Sequence, residues 1–175
     1  MRTALTAVFL VALAGCQPAK APAPTLRVTS PAIPADGRID PRQSAHGANL
    51  SPPLRWTPVA GAKTYAITMD DPDAPGTRPF VHWLMWSIPA GVTALAEGAS
   101  GSFSGAVQGE NDNGQRGYFG PAPPSGIHHY RLRVFALDGA LTLAPGAGGE
   151  ALARAMAGHV IAQGELDGTF AAPSN

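Results

Sequence analysis

The sequence predicts a mainly β fold whose strands are joined by long loops, and three observations lead to this class. Several short segments alternate apolar and polar residues or are continuously apolar, which is typical of strands. Only one segment has apolar residues at helical spacing. The connections are rich in glycine and proline, of which the chain has 21 and 18. Long irregular loops on a β scaffold are usually functional or mobile, so we expect any site to involve them.

Four segments are predicted to form the main strands. Residues 81–88 (VHWLMWSI) are apolar nearly throughout, as expected for a strand that is buried on both faces. Residues 130–137 (YRLRVFAL) alternate and place Arg131 and Arg133 opposite the apolar side chains. In chain order, the predicted strands are residues 26–30, 65–69, 81–88 and 130–137.

One helix is predicted near the end of the chain, over residues 150–163. Apolar residues recur at helical spacing from Leu152 to Val160, and Gly164 is suited to end the helix. Residues 165–170 are then expected to form a last short strand.

The first fifteen residues have the pattern of a secretory signal. Arg2 precedes an apolar run over residues 4–13, which is too short to span a bilayer. The following Leu-Ala-Gly-Cys resembles a bacterial lipobox, in which Cys16 is lipidated after cleavage; an ordinary signal peptide with an incidental cysteine is the alternative. Burying acyl chains, at roughly 0.8 kcal/mol per CH₂, would anchor the chain to a membrane. Gln17 after the cysteine favours, by resemblance to lipoprotein sorting, the outer membrane facing the periplasm.

The remainder divides into a tether and one domain. Residues 17–25 (QPAKAPAPT) are rich in proline and alanine and predict a semi-stiff tether. Residues 26–175 are enough for one domain with one core. The chain has 12 basic and 12 acidic residues and no basic stripe, which argues against a nucleic-acid partner. Because Cys16 is the only cysteine, we expect no intrachain disulfide and no thiolate metal site.

Paired carboxylates follow the second predicted strand. Pro72 and Pro75 restrict the backbone around Asp71 and Asp73, so that both side chains take defined directions. On the residues alone, a turn with solvated acids is the simpler interpretation. A functional site becomes the better one only if other polar residues meet them.

A histidine and a rigid loop are the other candidates. Strand alternation places His82 on the same face as Leu84 and Trp86, where a hydrogen-bonded core histidine is the simpler interpretation. Residues 117–130 (GYFGPAPPSGIHHY) crowd glycines and prolines ahead of two histidines and a tyrosine. Such a run predicts a shaped loop that presents polar groups.

In this order and spacing the motifs resemble the phosphatidylethanolamine-binding protein family, in its bacterial Raf-kinase-inhibitor-like branch. The resemblance covers roughly residues 28–170 and implies a β-sandwich of two sheets with a C-terminal helix. It also implies a small pocket for an anionic group such as phosphate, acetate or a phospholipid head group. The segments that carry it are DDPDAP at 70–75, VHWLMWSIP at 81–89, GPAPPSGIHHY at 120–130, NLSPPL at 49–54 with Trp56, and MAGHV at 156–160.

The resemblance implies a set of ligand-binding residues. His129 occupies a position that varies in the family and, by strand alternation, points away from its neighbours. Two departures are Ala122, where many bacterial relatives have cysteine, and residues 110–113 (ENDN), which add acidity that could reshape the pocket rim. The positions that match the family's pocket are Asp71, Asp73, His82, Tyr118, Gly120, Pro124, His128 and Tyr130.

The function expected from the sequence is binding of a small anion or phospholipid head group by an envelope lipoprotein, with a regulatory role as one option. An inhibitor or interaction protein for an envelope protease or another enzyme is the alternative. A hydrolase that uses His82, His128 and Asp71 is the weaker third option, because no Gly-x-Ser-x-Gly nucleophile motif is present. We therefore expect no catalytic residues, no cofactor and no metal. Since imidazole gains charge on protonation, anion binding should weaken as pH rises.

Overall fold

The computed structural model describes residues 25–173, which form two antiparallel sheets and two short helices. The predictions for the signal, for lipidated Cys16 and for the tether up to residue 24 lie outside the described residues. The strands are β1 (Val28–Thr29), β2 (Leu54–Trp56), β3 (Thr64–Asp71), β4 (Phe80–Pro89), β5 (Ala94–Leu95), β6 (Val107–Gln108), β7 (Ile127–Leu137) and β8 (Val160–Ala171), and the helices are α1 (Ala99–Ser102) and α2 (Gly149–Met156).

The two sheets pack face to face around the main core. The small sheet has the order β1-β2-β5 and the large sheet β6-β4-β3-β7-β8. Between them lie Trp56 of the small sheet and Tyr65 and Trp83 of the large sheet, all buried. Burying each such side chain contributes about 1.5–3 kcal/mol relative to leaving it exposed. The predicted β-sandwich is confirmed.

A second apolar cluster lies on the outer face of the large sheet. Leu152 and Met156 of α2 pack there against residues that include Leu84, Trp86 and Phe135. Because the side chains of β4 alternate between the two clusters, this strand is buried on both faces. Its nearly continuous apolar sequence follows from that position.

The predicted helix over residues 150–163 is wrong in its second half. Helix α2 ends at Met156, and Gly158 takes a φ of 84°, which the helix cannot continue through. The chain then enters β8, whose residues from Val160 onward pair with β7. Helical spacing of the apolar residues is overridden here by pairing with a long neighbouring strand, in which β-branched residues such as Val160 are favoured.

The alternation predicted for His82 is also wrong. In the pairing of β3 with β4, Met69 lies opposite Trp83 while Asp70 lies opposite Val81. His82 is therefore an extra residue on β4, which forms a β-bulge. The bulge re-aims the histidine away from the face of Leu84 and Trp86.

The chain enters the sandwich far from the start of β7. Thr25 bridges to Gln163 near the beginning of β8, whereas His128 pairs with Phe170 near its end. At about 3.3 Å per residue, these two points are roughly 23 Å apart along the strand. Within residues 25–173, no helix has the length and apolarity needed to cross a membrane.

Candidate functional site

The candidate site lies at one end of the inner strands of the large sheet, where β3 ends and the antiparallel strands β4 and β7 begin. This end of the sheet brings together Asp71, His82, His128 and Tyr130. All four are buried, with between 1% and 8% of each residue exposed. Because β7 begins at Ile127, His128 and Tyr130 are strand residues on one face and not part of the loop. We call these four residues the pocket.

Asp71 and His128 form a buried hydrogen-bonded pair in the pocket. Nδ1 of His128 lies 2.8 Å from Oδ2 of Asp71, and the two side chains are 10% and 4% exposed. The other carboxylate oxygen, Oδ1, accepts a hydrogen bond of 2.8 Å from the backbone N–H of Asp73. Asp71 therefore has both suggested roles, since it makes the local turn and also holds the histidine. A carboxylate acceptor requires the proton on Nδ1, which leaves Nε2 of His128 as the free ring nitrogen.

His82 is held by the loop that precedes β7. Its Nδ1 lies 2.7 Å from the carbonyl oxygen of Phe119, and its ring stacks on the Phe119 ring at a centroid distance of 5.8 Å. A carbonyl can only accept, so Nδ1 carries the proton and Nε2 is the free nitrogen. Burial lowers the pKa of His82, an effect that the Phe119 carbonyl and the Asp71 charge oppose without reversing. His82 is therefore neutral at pH 7.

Tyr130 is the main donor of the pocket. Its ring meets His82 edge to face, with centroids 5.2 Å apart. Its buried hydroxyl makes no hydrogen bond of good geometry within residues 25–173, although Asp71 and the backbone of Ala122 lie close enough to affect its pKa. Burial, and then the charge of Asp71, raise that pKa, so the group stays protonated. A buried hydroxyl without a partner costs free energy, which a ligand with an acceptor would recover.

The protonation states determine what the pocket can bind. While an imidazole is neutral, its free Nε2 can only accept, so the donor available to a ligand is the O–H group of Tyr130. An anion has only acceptors, so it cannot form a hydrogen bond to a ring nitrogen that also accepts. It is bound well only if an imidazole takes up a proton or if the ligand brings one. The geometry thus couples anion binding to proton uptake.

The predicted loop residues have three different positions. The hydroxyl of Tyr118 is not free, because it donates to the carbonyl oxygen of Gln43 at 2.9 Å. Gly120 lies so close to that same segment that a Cβ would be 2.1 Å from the Gln43 carbonyl oxygen. Pro124 is exposed and lines a separate hollow with Ala122 and His46. Tyr118 and Gly120 thus fix the loop from behind, and the assignment of all three as ligand contacts remains a prediction.

Asp73 lies at the edge of the pocket and binds a different histidine. Its Oδ2 accepts from the backbone N–H of His129 at 2.8 Å and lies 2.6 Å from the ring Nδ1. These hydrogen bonds lower the pKa of Asp73. The side chains of His129 and Asp73 are 62% and 42% exposed, so His129 points away from the pocket as strand alternation predicts.

Several residues that position the pocket were not predicted. Phe119 supplies the carbonyl and the ring that hold His82. The side-chain oxygen of Asn49 accepts a hydrogen bond of 2.8 Å from the backbone N–H of Gly120. The side-chain nitrogen of buried Asn111 donates one of 2.9 Å to the carbonyl of Gly117. The signal for Phe119 was present, because it is the aromatic residue between two predicted loop residues. The asparagines act through backbone contacts that the sequence does not reveal.

In the acidic run at 110–113, Asp112 makes its hydrogen bonds outside the pocket, although its charge still acts on His82. Asp112 pairs with Arg78 through two hydrogen bonds of 2.6 and 2.9 Å, and it caps the start of β4 by accepting from the Val81 N–H. These contacts place it against the opposite face of the large sheet, where it lines another groove. Within residues 25–173, no group of three His, Cys, Asp or Glu side chains is arranged to hold a metal ion.

A two-sheet sandwich with a buried Asp-His pair, a second histidine and a tyrosine at one end of the large sheet defines a class of proteins with a buried polar cluster. Comparison with known proteins identifies the class. The sequence model of the family described as phosphatidylethanolamine-binding protein matches residues 29–171. The chain belongs to that family.

Individual relatives support the same conclusion. A UPF0098 protein of Methanothermobacter thermautotrophicus is 46% identical over 138 residues, which cover 77% of this chain and 91% of the relative. LppC of Mycobacterium tuberculosis, provisionally named a lipoprotein, is 44% identical over 158 residues, covering 87% and 77% of the two chains.

Solved structures show the same fold. The Chlamydia trachomatis homologue CT736 of phosphatidylethanolamine-binding protein has a TM-score of 0.78 and 35% identity. YbcL of E. coli has a TM-score of 0.78 and 32% identity. Each alignment covers 85% of this chain and 99% of the solved chain.

Proposed function

We propose that this protein is an envelope lipoprotein that binds a small anion or a phospholipid head group in the pocket. The observation that carries the proposal is the buried hydroxyl of Tyr130, which makes no hydrogen bond of good geometry within residues 25–173, although Asp71 and the Ala122 backbone lie near it, and which lies beside the ring of His82. A phosphate or carboxylate oxygen is the acceptor that this donor lacks.

Proton uptake provides the matching charge. Binding of an anion next to His82 and His128 favours their protonated forms, in which Nε2 becomes a donor. Asp71 acts on the anion indirectly, by orienting His128 and favouring its protonated form, because its Oδ2 lies 2.8 Å from Nδ1 of that ring. Affinity should therefore fall as pH rises. The depressed pKa of His82 moves part of this dependence to the acid side of 6.5.

The envelope location is part of the proposal. It is supported by the lipobox-like residues before Cys16 and by the similarity to LppC. In this arrangement the chain leaves the tether at Thr25, roughly 23 Å along β8 from the pocket edge. The pocket would be presented away from the point of attachment, towards the periplasm.

Calorimetry with ligands that do not titrate between pH 5 and 8 tests the proposal. The mature chain from residue 17 is titrated with glycerophosphoethanolamine, a phosphodiester head group, and with sulfate, a free anion. We expect binding that weakens from pH 5.5 to 7.5 and takes up protons, detected as a heat that depends on the buffer. Preference for the first ligand would point to a lipid source, and equal affinity to a free anion. Absence of binding by either at millimolar concentration would contradict the proposal.

A role as an interaction protein is the second candidate, favoured by one specific observation. Within residues 25–173, Ile127 is the single large apolar side chain with high exposure, at 64%, and it directly precedes His128. Pro124 and Gly126 lie on the exposed loop that leads into it. Cross-linking from Ile127 replaced by a photoreactive residue, in envelope membranes, would identify a protein target. Labelling of lipid alone would favour the head-group function.

The proposal describes a binding protein and not an enzyme. A hydrolase would need an attacking group, and the hydrogen-bonding partners of the two histidines are the carboxylate of Asp71 and a backbone carbonyl. Ester hydrolysis that His128→Ala abolished, while leaving ligand binding intact, would overturn this part.

A further inference from the structure

A second concave surface lies on the outer face of the large sheet, on the side opposite the pocket. It is a groove with a cavity volume of about 990 Å³ between β3, β4 and β7 on one side and α2 with the loop around Arg78 on the other. This volume is within the range of about 300–1,000 Å³ that is typical of ligand sites. We call it the outer groove.

The floor of the outer groove is apolar. Leu84 and Phe135 contribute from the sheet, and Met156 and Val160 from the end of α2 and the start of β8. These residues continue the apolar cluster beneath the helix. A ligand that used this floor would need a hydrocarbon portion.

One wall of the groove carries guanidinium groups. Arg131 and Arg133 are neighbours on the outer face of β7, and both donate to the single carboxylate of Asp70. Their Nε atoms are buried and make no hydrogen bond, although Nε of Arg133 lies 3.3 Å from a Glu165 oxygen. The carboxylates of Asp70 and Glu165 together cannot satisfy two guanidiniums, each of which has five N–H donors. The guanidinium N–H groups on this wall that have no acceptor can only donate.

The beginning of α2 adds donors of the same kind. Gly148 is the N-cap residue, and its lack of a side chain leaves the first backbone N–H groups of α2 without a side-chain cap. Gly148, Gly149 and Ala151 line the groove. By contrast, Arg78 and Asp112 satisfy each other, and so do Arg154 and Glu150 on the helix. The polar requirement of the groove is thus for an acceptor.

We propose that the outer groove binds an anionic amphiphile with a single hydrocarbon chain. Its head group, a carboxylate or a phosphate, pairs with the donors of Arg131 and Arg133 in the bidentate geometry that guanidinium favours. Its chain lies against the partly exposed side chains of Val81 and Val160, above the buried floor of the groove. A cationic head group would face only donors, and a ligand without a chain would leave the floor unused.

Binding of matched twelve-carbon amphiphiles to the mature chain, below their micelle concentrations, tests this proposal. Dodecanoate and dodecyl phosphate distinguish a carboxylate from a phosphate source, while dodecyltrimethylammonium and dodecyl maltoside share the chain without the anionic head. We expect at least tenfold tighter binding of one or both anions. In nitrogen-edited NMR spectra, the shifted resonances should belong to α2 and to the side-chain N–H groups of Arg131 and Arg133.

Variants separate the outer groove from the pocket. Arg131→Gln should weaken anion binding about tenfold, as expected for a lost hydrogen bond to a charged group. If that variant does not fold, Arg154→Glu, a charge reversal on a side chain that is 72% exposed, should weaken it severalfold without affecting folding. Tyr130→Phe should leave amphiphile binding unchanged.

Three results would overturn the proposal. One is equal binding of all four head groups. Another is a set of NMR shifts centred on His128 and Tyr130. The third is tight binding of an acidic amphipathic peptide in the groove with no binding of either anionic amphiphile.

Discussion

Asp70 and Asp71 are adjacent in the chain and belong to two different surfaces. Asp71 faces the inside of the sandwich and holds His128 in the pocket, whereas Asp70 faces outward and joins Arg131 and Arg133 in the outer groove. The cause is the two-residue alternation of β3, which sends successive side chains to opposite faces. Strand β7 repeats the division, with His128 and Tyr130 on one face and the arginines on the other.

The two surfaces differ in how their charge depends on pH. The pocket relies on imidazoles, which change charge near neutral pH, while the outer groove relies on guanidiniums, which remain charged throughout. Asp71 thus belongs to a site whose affinity should vary with pH, and Asp70 to a site whose affinity should not. Four predictions test this contrast, from the largest expected effect to the smallest.

The largest effect is expected from Asp71→Ala. Removing the carboxylate leaves the buried ring N–H of His128 without its acceptor and removes the hydrogen bond to the Asp73 N–H, which together cost about 2–4 kcal/mol of unfolding free energy. Asp73→Ala is the matched control, because it removes the exposed partner of His129, an interaction that solvent screens, and it should cost far less. Urea unfolding measures both. Similar losses of unfolding free energy in the two variants would show that the buried Asp71–His128 pair stabilises the fold no more than the exposed Asp73–His129 pair.

The next effect is expected from Gly120→Ala. The added Cβ would meet the backbone of Gln43 and Ala45, with 2.7 Å to the nitrogen of Ala45, and backbone cannot move aside cheaply. Overpacking of this kind costs about 1–3 kcal/mol. Gly149→Ala, beside the outer groove, is the control, since its Cβ would lie 3.3 Å from a flexible Val81 methyl group and alanine favours the helix. Thermal unfolding should show a large loss for the first variant and little change for the second.

Tyr130→Phe should affect binding more than stability. The lost hydrogen bond to a charged ligand corresponds to about tenfold weaker binding of glycerophosphoethanolamine, while the free protein loses no hydrogen bond. Tyr118→Phe should do the reverse, because its hydroxyl already donates to the Gln43 carbonyl and is not free to donate to a ligand. Equal affinity loss in both variants would show that Tyr118, and not Tyr130 alone, contacts the ligand.

The smallest effect concerns pH and His82. Burial lowers its pKa in the folded state, so below pH 6.5 the unfolded chain takes up the proton more readily. Stability should then fall as pH falls below 6.5, by at most about 1.4 kcal/mol per pH unit for this one group. His82→Asn keeps a donor for the Phe119 carbonyl and does not titrate. Its unfolding free energy should therefore depend less on pH in that range; an unchanged slope would assign the acid sensitivity to other groups.

The positions of the strands were largely predictable, and their ends were not. Residues 81–88 were recognised because a strand buried on both faces needs apolar residues on both, a requirement visible in sequence. Residues 160–163 were assigned to the helix because Val160 fits its spacing. The deciding interaction, pairing with β7, comes from residues 135–137, about twenty-five positions away. Local periodicity cannot report a competing partner at that distance.

The sequence by itself determined a mainly β fold and the polar residue types available to a site, and the order and spacing of its motifs gave a family resemblance that implied the sandwich. Tertiary structure decided which of those residues meet. The β-bulge at His82 turned that ring from the predicted face towards Tyr130, and the contact with Gln43 left Tyr118 without a free hydroxyl. Register and backbone contacts between distant segments cause both outcomes, and such contacts exist only once the sheets have formed.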